Sequence, residues 1–84
     1  MGRAKRTMPK HLGKKLYSIR ENLGLTLEEL IERLNCPEIP LYPASISMYE
    51  SGKREPPLLV LLRYARLANV IVDVLIDDKL DLPQ

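Results

Sequence analysis

The sequence predicts an all-α fold, a compact bundle of five helices. Three observations carry that reading. Leucine dominates the apolar residues while Phe and Trp are absent, so the core must be built from Leu, Ile, Val and four Tyr, a composition that favours helices over strands. Apolar residues recur at spacings of three and four along most of the chain. Residues that start or stop helices, such as Gly24, Thr26, Pro43, Pro56 and Asn69, stand between those runs.

The elements follow in order. Residues 1–9 read as a flexible basic arm closed by Pro9, and residues 10–84 as a single domain. From Lys10 to Asn22, Leu12, Leu16, Ile19 and Leu23 form one helical face. Gly24 ends this helix in a left-handed C′ conformation. Helix two, residues 26–35, starts at Thr26, which forms a capping box with Glu29, and Glu28 adds favourable charge to its first turn. Its apolar stripe is Leu27, Leu30, Ile31 and Leu34, and Asn35 before Cys36-Pro37 ends it. Residues 36–42 are too short and too rich in proline for regular structure. Helix three, residues 43–51, begins with Pro43 at its first position, presents Ile46 and Tyr49 inward and stops at Ser51-Gly52. Helices four and five occupy residues 57–80. Pro56-Pro57 opens "LLVLLRYARLA", Asn69 terminates it, and "VDVLIDDKL" runs out at Pro83.

Composition narrows the function classes. At 84 residues the chain is one small domain, near the size at which a single core is marginal and a second copy adds stability. One cysteine, Cys36, excludes an intramolecular disulfide and a Cys-rich zinc site; it reads as a small, half-buried turn residue, and cysteine usage fits a reducing cytoplasm. No apolar run approaches the ~18 residues of a membrane span, and the basic start has no apolar stretch behind it, so no signal peptide and no membrane are expected. The net charge of +2 is unevenly spread. Arg3, Lys5, Arg6, Lys10, Lys14, Lys15 and Arg20 face no acid in residues 1–20, whereas Asp73, Asp77, Asp78 and Asp81 crowd the other end. The basic end suits a polyanion, or else a solvated tail. There is no nucleophile–base pair, Gly-rich phosphate loop or metal-ligand spacing, and His11 stands alone. No enzyme activity, cofactor or metal is expected.

Three segments, "LGKKLYSIRENLGLTLEELIERLN", "ISMYESGKREPP" and "LLRYARLANVIVDVLI", together resemble the Cro and phage-repressor type of helix-turn-helix domain, a family of small bacterial regulators. The resemblance covers residues 11–78 and implies a lambda-repressor-like DNA-binding fold. It implies an ion pair between Arg20 and Glu50 beneath the motif, and phosphate contacts from Thr26, Ser51, Gly52 and Lys53. Arg54 is placed to join them, and Arg3, Lys5 and Arg6 would follow a groove from the arm. The base-facing positions would be Pro43, Ala44, Ser45, Ser47 and Met48.

This chain departs from the family in two linked ways. Ile46 follows Leu30 at a spacing longer by about five residues than the family's, so the turn between the motif helices is extended. Ile31 also stands where the family prefers a small Ala; in an unaltered turn it would overpack by ~1–3 kcal/mol. A longer turn makes room for it. The base-facing residues lack the long polar groups that pair bidentately with guanine or adenine. Ala44 and Met48 suit thymine methyls, and Ser45 and Ser47 single hydrogen bonds.

Two readings of function remain open. The first is a transcriptional regulator binding double-stranded DNA as a homodimer, with Leu59, Leu62, Ile71 and Val74 among the residues of an exposed apolar patch. The second is a protein-interaction module, an antitoxin or adaptor on the same fold with weak or lost DNA binding. It would turn the same surfaces toward a protein partner.

Overall fold

The computed structural model describes residues 8–83. Within them the chain forms α1 (Leu12–Leu23), α2 (Leu27–Leu34), α3 (Pro43–Glu50), α4 (Leu58–Ala68) and α5 (Val72–Ile76), with no strand. The expected all-α class holds. Arg3, Lys5 and Arg6 lie outside the described residues.

Local chemistry sets most helix ends. At the start of α2 the Thr26 hydroxyl accepts from the Glu29 N–H at 3.1 Å, while the Glu29 carboxylate accepts from the Thr26 N–H at 2.9 Å. This box satisfies two backbone donors that have no partner inside the helix. α1, α2 and α4 each end on a left-handed residue: Gly24 (φ 66°), Asn35 (φ 48°) and Asn69 (φ 60°). Pro43 opens α3, where its missing N–H costs nothing.

α1 is central, packing against α3, α4 and α5, while α2 packs on α3 and α4. Leu16, Leu30, Ile46, Val60, Tyr64 and Leu75 are fully enclosed between them. Helix spacing placed Leu23 on the same inward face, but it is 43% exposed. The core closes above Ile19, and the last turn of α1 projects past it toward an open groove beside Leu67 and Leu82. Cys36 is buried rather than half-buried.

The ends of α1 and α5 are tied by polar groups distant in sequence. Asp78 accepts from the N–H groups of Lys10 and His11 at 2.9 and 3.0 Å, so its carboxylate supplies partners at the N-terminal end of α1. Lys15 is buried. Its ammonium donates to the carbonyls of Val74, Asp77 and Leu80 at 2.8, 3.0 and 2.7 Å, using all three of its donors. These contacts explain why α5 stops at Ile76 rather than continuing toward residue 80. Asp77 turns extended (φ −93°, ψ 110°), which leaves its carbonyl and that of Leu80 directed to Lys15.

Two variants test this packing. A Cβ at Gly13 would stand 2.7 Å from the Glu50 carbonyl oxygen and 3.0 Å from that of Tyr49. Gly13→Ala should therefore lower stability by about 1–3 kcal/mol in denaturant unfolding. The Lys10 and His11 N–H groups hold the Asp78 carboxyl below its usual range. Its folded value is below its unfolded one, so the stabilisation is present above the unfolded pKa and lost as pH falls through the folded one. Unfolding midpoints measured from pH 6 downward should fall more steeply for the wild type than for Asp78→Asn.

Candidate nucleic-acid interface

α3 turns two faces in opposite directions. Ile46 and Tyr49 are buried, while Ala44, Ser47 and Met48 are exposed together, at the three- and four-residue spacing that stacks side chains on one side of a helix. Pro43 and Ser45 are half-buried at the edge of that surface. The Ser45 hydroxyl also accepts from the Tyr42 N–H at 3.3 Å, so it serves its own helix start. Tyr42 immediately precedes α3 and is 63% exposed. Sequence reasoning passed over it. The available signal was an aromatic residue one position before a helix-opening proline, where a helix start projects its flanking side chain.

The segment after α3 folds back on the helix end. The Met48 carbonyl accepts from the backbone N–H groups of Lys53 and Arg54 at 3.0 and 3.2 Å and from the Ser51 hydroxyl at 3.2 Å. Gly52 takes a left-handed turn at φ 79°, which a side chain would strain. Ser51, Gly52, Lys53 and Arg54 are all exposed. The backbone is thus held while two cationic side chains extend from it. Lys10 and Lys14 join Ser51 and Gly52 around an open cleft on the same flank. Thr26 is exposed at the start of α2, its hydroxyl oxygen already accepting from Glu29 and its hydrogen left to donate.

Behind this surface lies the ion pair. Arg20 Nε donates to Glu50 Oε2 at 2.7 Å and Nη2 to Oε1 at 3.1 Å, a two-pronged contact. The remaining nitrogen, Nη1, donates to the Leu25 carbonyl at 3.0 Å. The guanidinium lies 5.4 Å from the centre of the Tyr17 ring, within cation–π range. Glu50, first among several causes, raises the pKa of Arg20 further. One side chain therefore links α1, the α1–α2 connection and the last residue of α3.

Residues 35–42 separate α2 from α3, where a helix-turn-helix turn commonly has about three or four. The connection is ordered by contacts of its own. Ile39 N–H donates to the Cys36 carbonyl at 3.2 Å, and Ile39 and Leu41 pack partly buried against the core. Arg63 on α4 donates to the Asn35 carbonyl and, at 2.9 Å, to Glu38. The backbone N–H of Glu38 and then Arg63 hold the Glu38 carboxyl below its usual range. Arg63 was also absent from the residues singled out by sequence, because its partners lie on another element.

A model of the helix-turn-helix domain family matches residues 13–77. The chain belongs to this family. Comparison with curated proteins gave no match, and comparison with solved structures gave none. α2 and α3 are then the motif pair, and α3 is the helix such domains present to the major groove. Away from the motif, Leu59 (41%) and Ile71 (64%) are strongly exposed, and Leu62 and Val74 are half-buried. Leu58, at 79%, is more exposed than either. None of the described helices is long and apolar enough to cross a membrane.

Cutting the clamp should be costly. Glu50→Ala leaves the half-buried Arg20 without its carboxylate and should destabilise this helix-turn-helix domain by about 1.5–3 kcal/mol. Urea unfolding measures the effect, and a change below a few tenths would mean that the pair does not hold α3.

Proposed function

We propose that this helix-turn-helix protein is a transcriptional regulator that binds duplex DNA as a homodimer and needs no cofactor. The observation that carries the proposal is the continuity of the exposed α3 face with the turn bearing Lys53 and Arg54. In this reading α3 enters the major groove. Lys53 and Arg54 meet one phosphate strand, with Ser51 and Gly52 beside it, the Ser51 hydroxyl and the Gly52 N–H exchanging their bonds to the Met48 and Tyr49 carbonyls for phosphate oxygens. Thr26 meets the other side of the groove, and Arg3, Lys5 and Arg6 add charge from the arm. Such contacts set register and orientation without reading sequence. Ala44 and Met48 face thymine methyls, Ser47 gives a single hydrogen bond, and Tyr42 adds an aromatic contact with a hydroxyl at the helix start. Limited base-edge pairing makes DNA shape a further source of preference.

The dimer is inferred from the exposed apolar residues of α4 and α5. Leu58, Leu59 and Ile71, with Leu62 and Val74 beside them, would exchange water for a second copy's equivalent surface. Two-fold symmetry would then set the recognition helices about 34 Å apart, one turn of DNA.

A second reading is favoured by one observation: the exposed side chains of α3 are short or apolar. On that reading the fold is a protein-interaction module, and DNA binding is weak. Selection from a random duplex library at about 150 mM salt, where non-specific binding is already weak, separates the two. An enriched inverted repeat supports the dimeric regulator, and its half-site spacing reports the separation of the α3 helices. A folded protein that enriches nothing supports the interaction module.

Replacing both Lys53 and Arg54 with Ala should weaken all duplexes by a similar factor. It should also flatten the log–log salt dependence of binding by about two, close to one unit for each phosphate no longer neutralised. An unchanged slope in a filter-binding or anisotropy series would remove these residues from the interface.

A further inference from the structure

Positive charge also gathers at the other end of α2. Arg33, Arg63 and Arg66 line an open cleft of about 450 Å³ between the C-terminal parts of α2 and α4, together with Leu34, Asn35 and Leu67. No acidic residue lines it. Arg63 is held by the Asn35 carbonyl and Glu38, and its side chain is 19% exposed. Its Nε is buried without a partner among the described residues. Arg33 and Arg66 are exposed, and no side-chain hydrogen bond or ion pair engages either of them among the described residues.

Helix-end electrostatics account for part of this arrangement. Arg33 and Arg66 are the basic residues of the last turns of α2 and α4, where a cation is favoured by the helix dipole. That role asks each arginine only to sit near its own helix end. It does not ask three guanidinium groups to open on one cleft with a single carboxylate, Glu38, bound to just one of them.

We propose that this cleft binds a small multivalent oxyanion, namely a phosphate-bearing molecule, between Arg33, Arg63 and Arg66. The planar guanidinium presents paired N–H donors at the spacing of two phosphate oxygens. The cleft volume lies within the ~300–1,000 Å³ of small-ligand sites. α2 is eight residues long, so Thr26 and the proposed DNA-facing end are about 12 Å away along its axis. The site does not depend on DNA binding. Glu38 is the built-in competitor for Arg63 and belongs to the segment joining α2 to α3. An occupying anion would therefore loosen the hold of α4 on that segment.

The same phosphate chemistry could arrive on a free molecule or on the DNA backbone, and one titration distinguishes them. The full chain is titrated calorimetrically with inorganic pyrophosphate at constant ionic strength set by chloride, with and without a short duplex. Saturable binding is expected. It should weaken about tenfold or more in Arg33→Gln/Arg66→Gln, as charge-assisted bonds are removed, and tighten in Glu38→Gln. It should persist in Lys53→Ala/Arg54→Ala and with duplex present. Absence of saturable binding, or equal binding by the Arg33/Arg66 variant, overturns the proposal. Loss of binding with the Lys53/Arg54 pair, or displacement by duplex, would also overturn it by assigning the anion to the DNA face.

Discussion

The contact on which the rest of the molecule depends is the two-pronged pair between Arg20 and Glu50. Glu50 is the last residue of α3, and Arg20 lies near the end of α1, so the pair joins two helices thirty residues apart in sequence. The third Arg20 contact, to the Leu25 carbonyl, brings in the chain that leads to α2. Where that pair is made, α1 must come very close to α3, and Gly13 permits it by offering no side chain to the Glu50 and Tyr49 carbonyls. Ser51, Gly52, Lys53 and Arg54 then inherit their place, because their backbone N–H groups donate to the carbonyls of Ser47, Tyr49 and Met48 on the same helix. A charged clamp beneath α3 and two cations beside it are consequences of one geometry.

A second set of ties works at the opposite side. A domain of this size encloses few residues completely, and α5 is barely more than one turn, too short to be stable through its own hydrogen bonds. Leu75 anchors it in the core, and Lys15 gathers the carbonyls released where it ends. Asp78 answers in the other direction by accepting from the backbone that leads into α1. The acidic end and the basic end of the sequence are thus joined in part within the molecule. Asp78 serves the start of α1 through the Lys10 and His11 N–H groups.

The candidate site was legible in the sequence to different depths. The pairing of Arg20 with Glu50 came from resemblance, since nothing local to either residue indicates the other. The exposed set Ala44, Ser47 and Met48 could be read from helical spacing once Ile46 and Tyr49 were taken as inward. Ser45 was harder, because its hydroxyl has a use at the helix start that spacing does not reveal. The prolines marked residues 36–42 as irregular. They did not indicate that Cys36 would be buried or that Arg63 would hold both Asn35 and Glu38. Those contacts span more than twenty residues and depend on where α4 comes to rest.

The helices and most of their ends are written into short stretches of sequence. The capping box at Thr26, the left-handed stops at Gly24, Asn35 and Asn69, and the proline start at Pro43 are each decided within one turn of backbone. The projection of Leu23 past the core, the end of α5 at Ile76 and the need for glycine at position 13 arise instead from packing between distant segments. The physical reason is the range of the forces involved. Backbone dihedrals and orphaned N–H groups are resolved locally, whereas burial, close approach and a buried ammonium need partners that folding alone brings within reach.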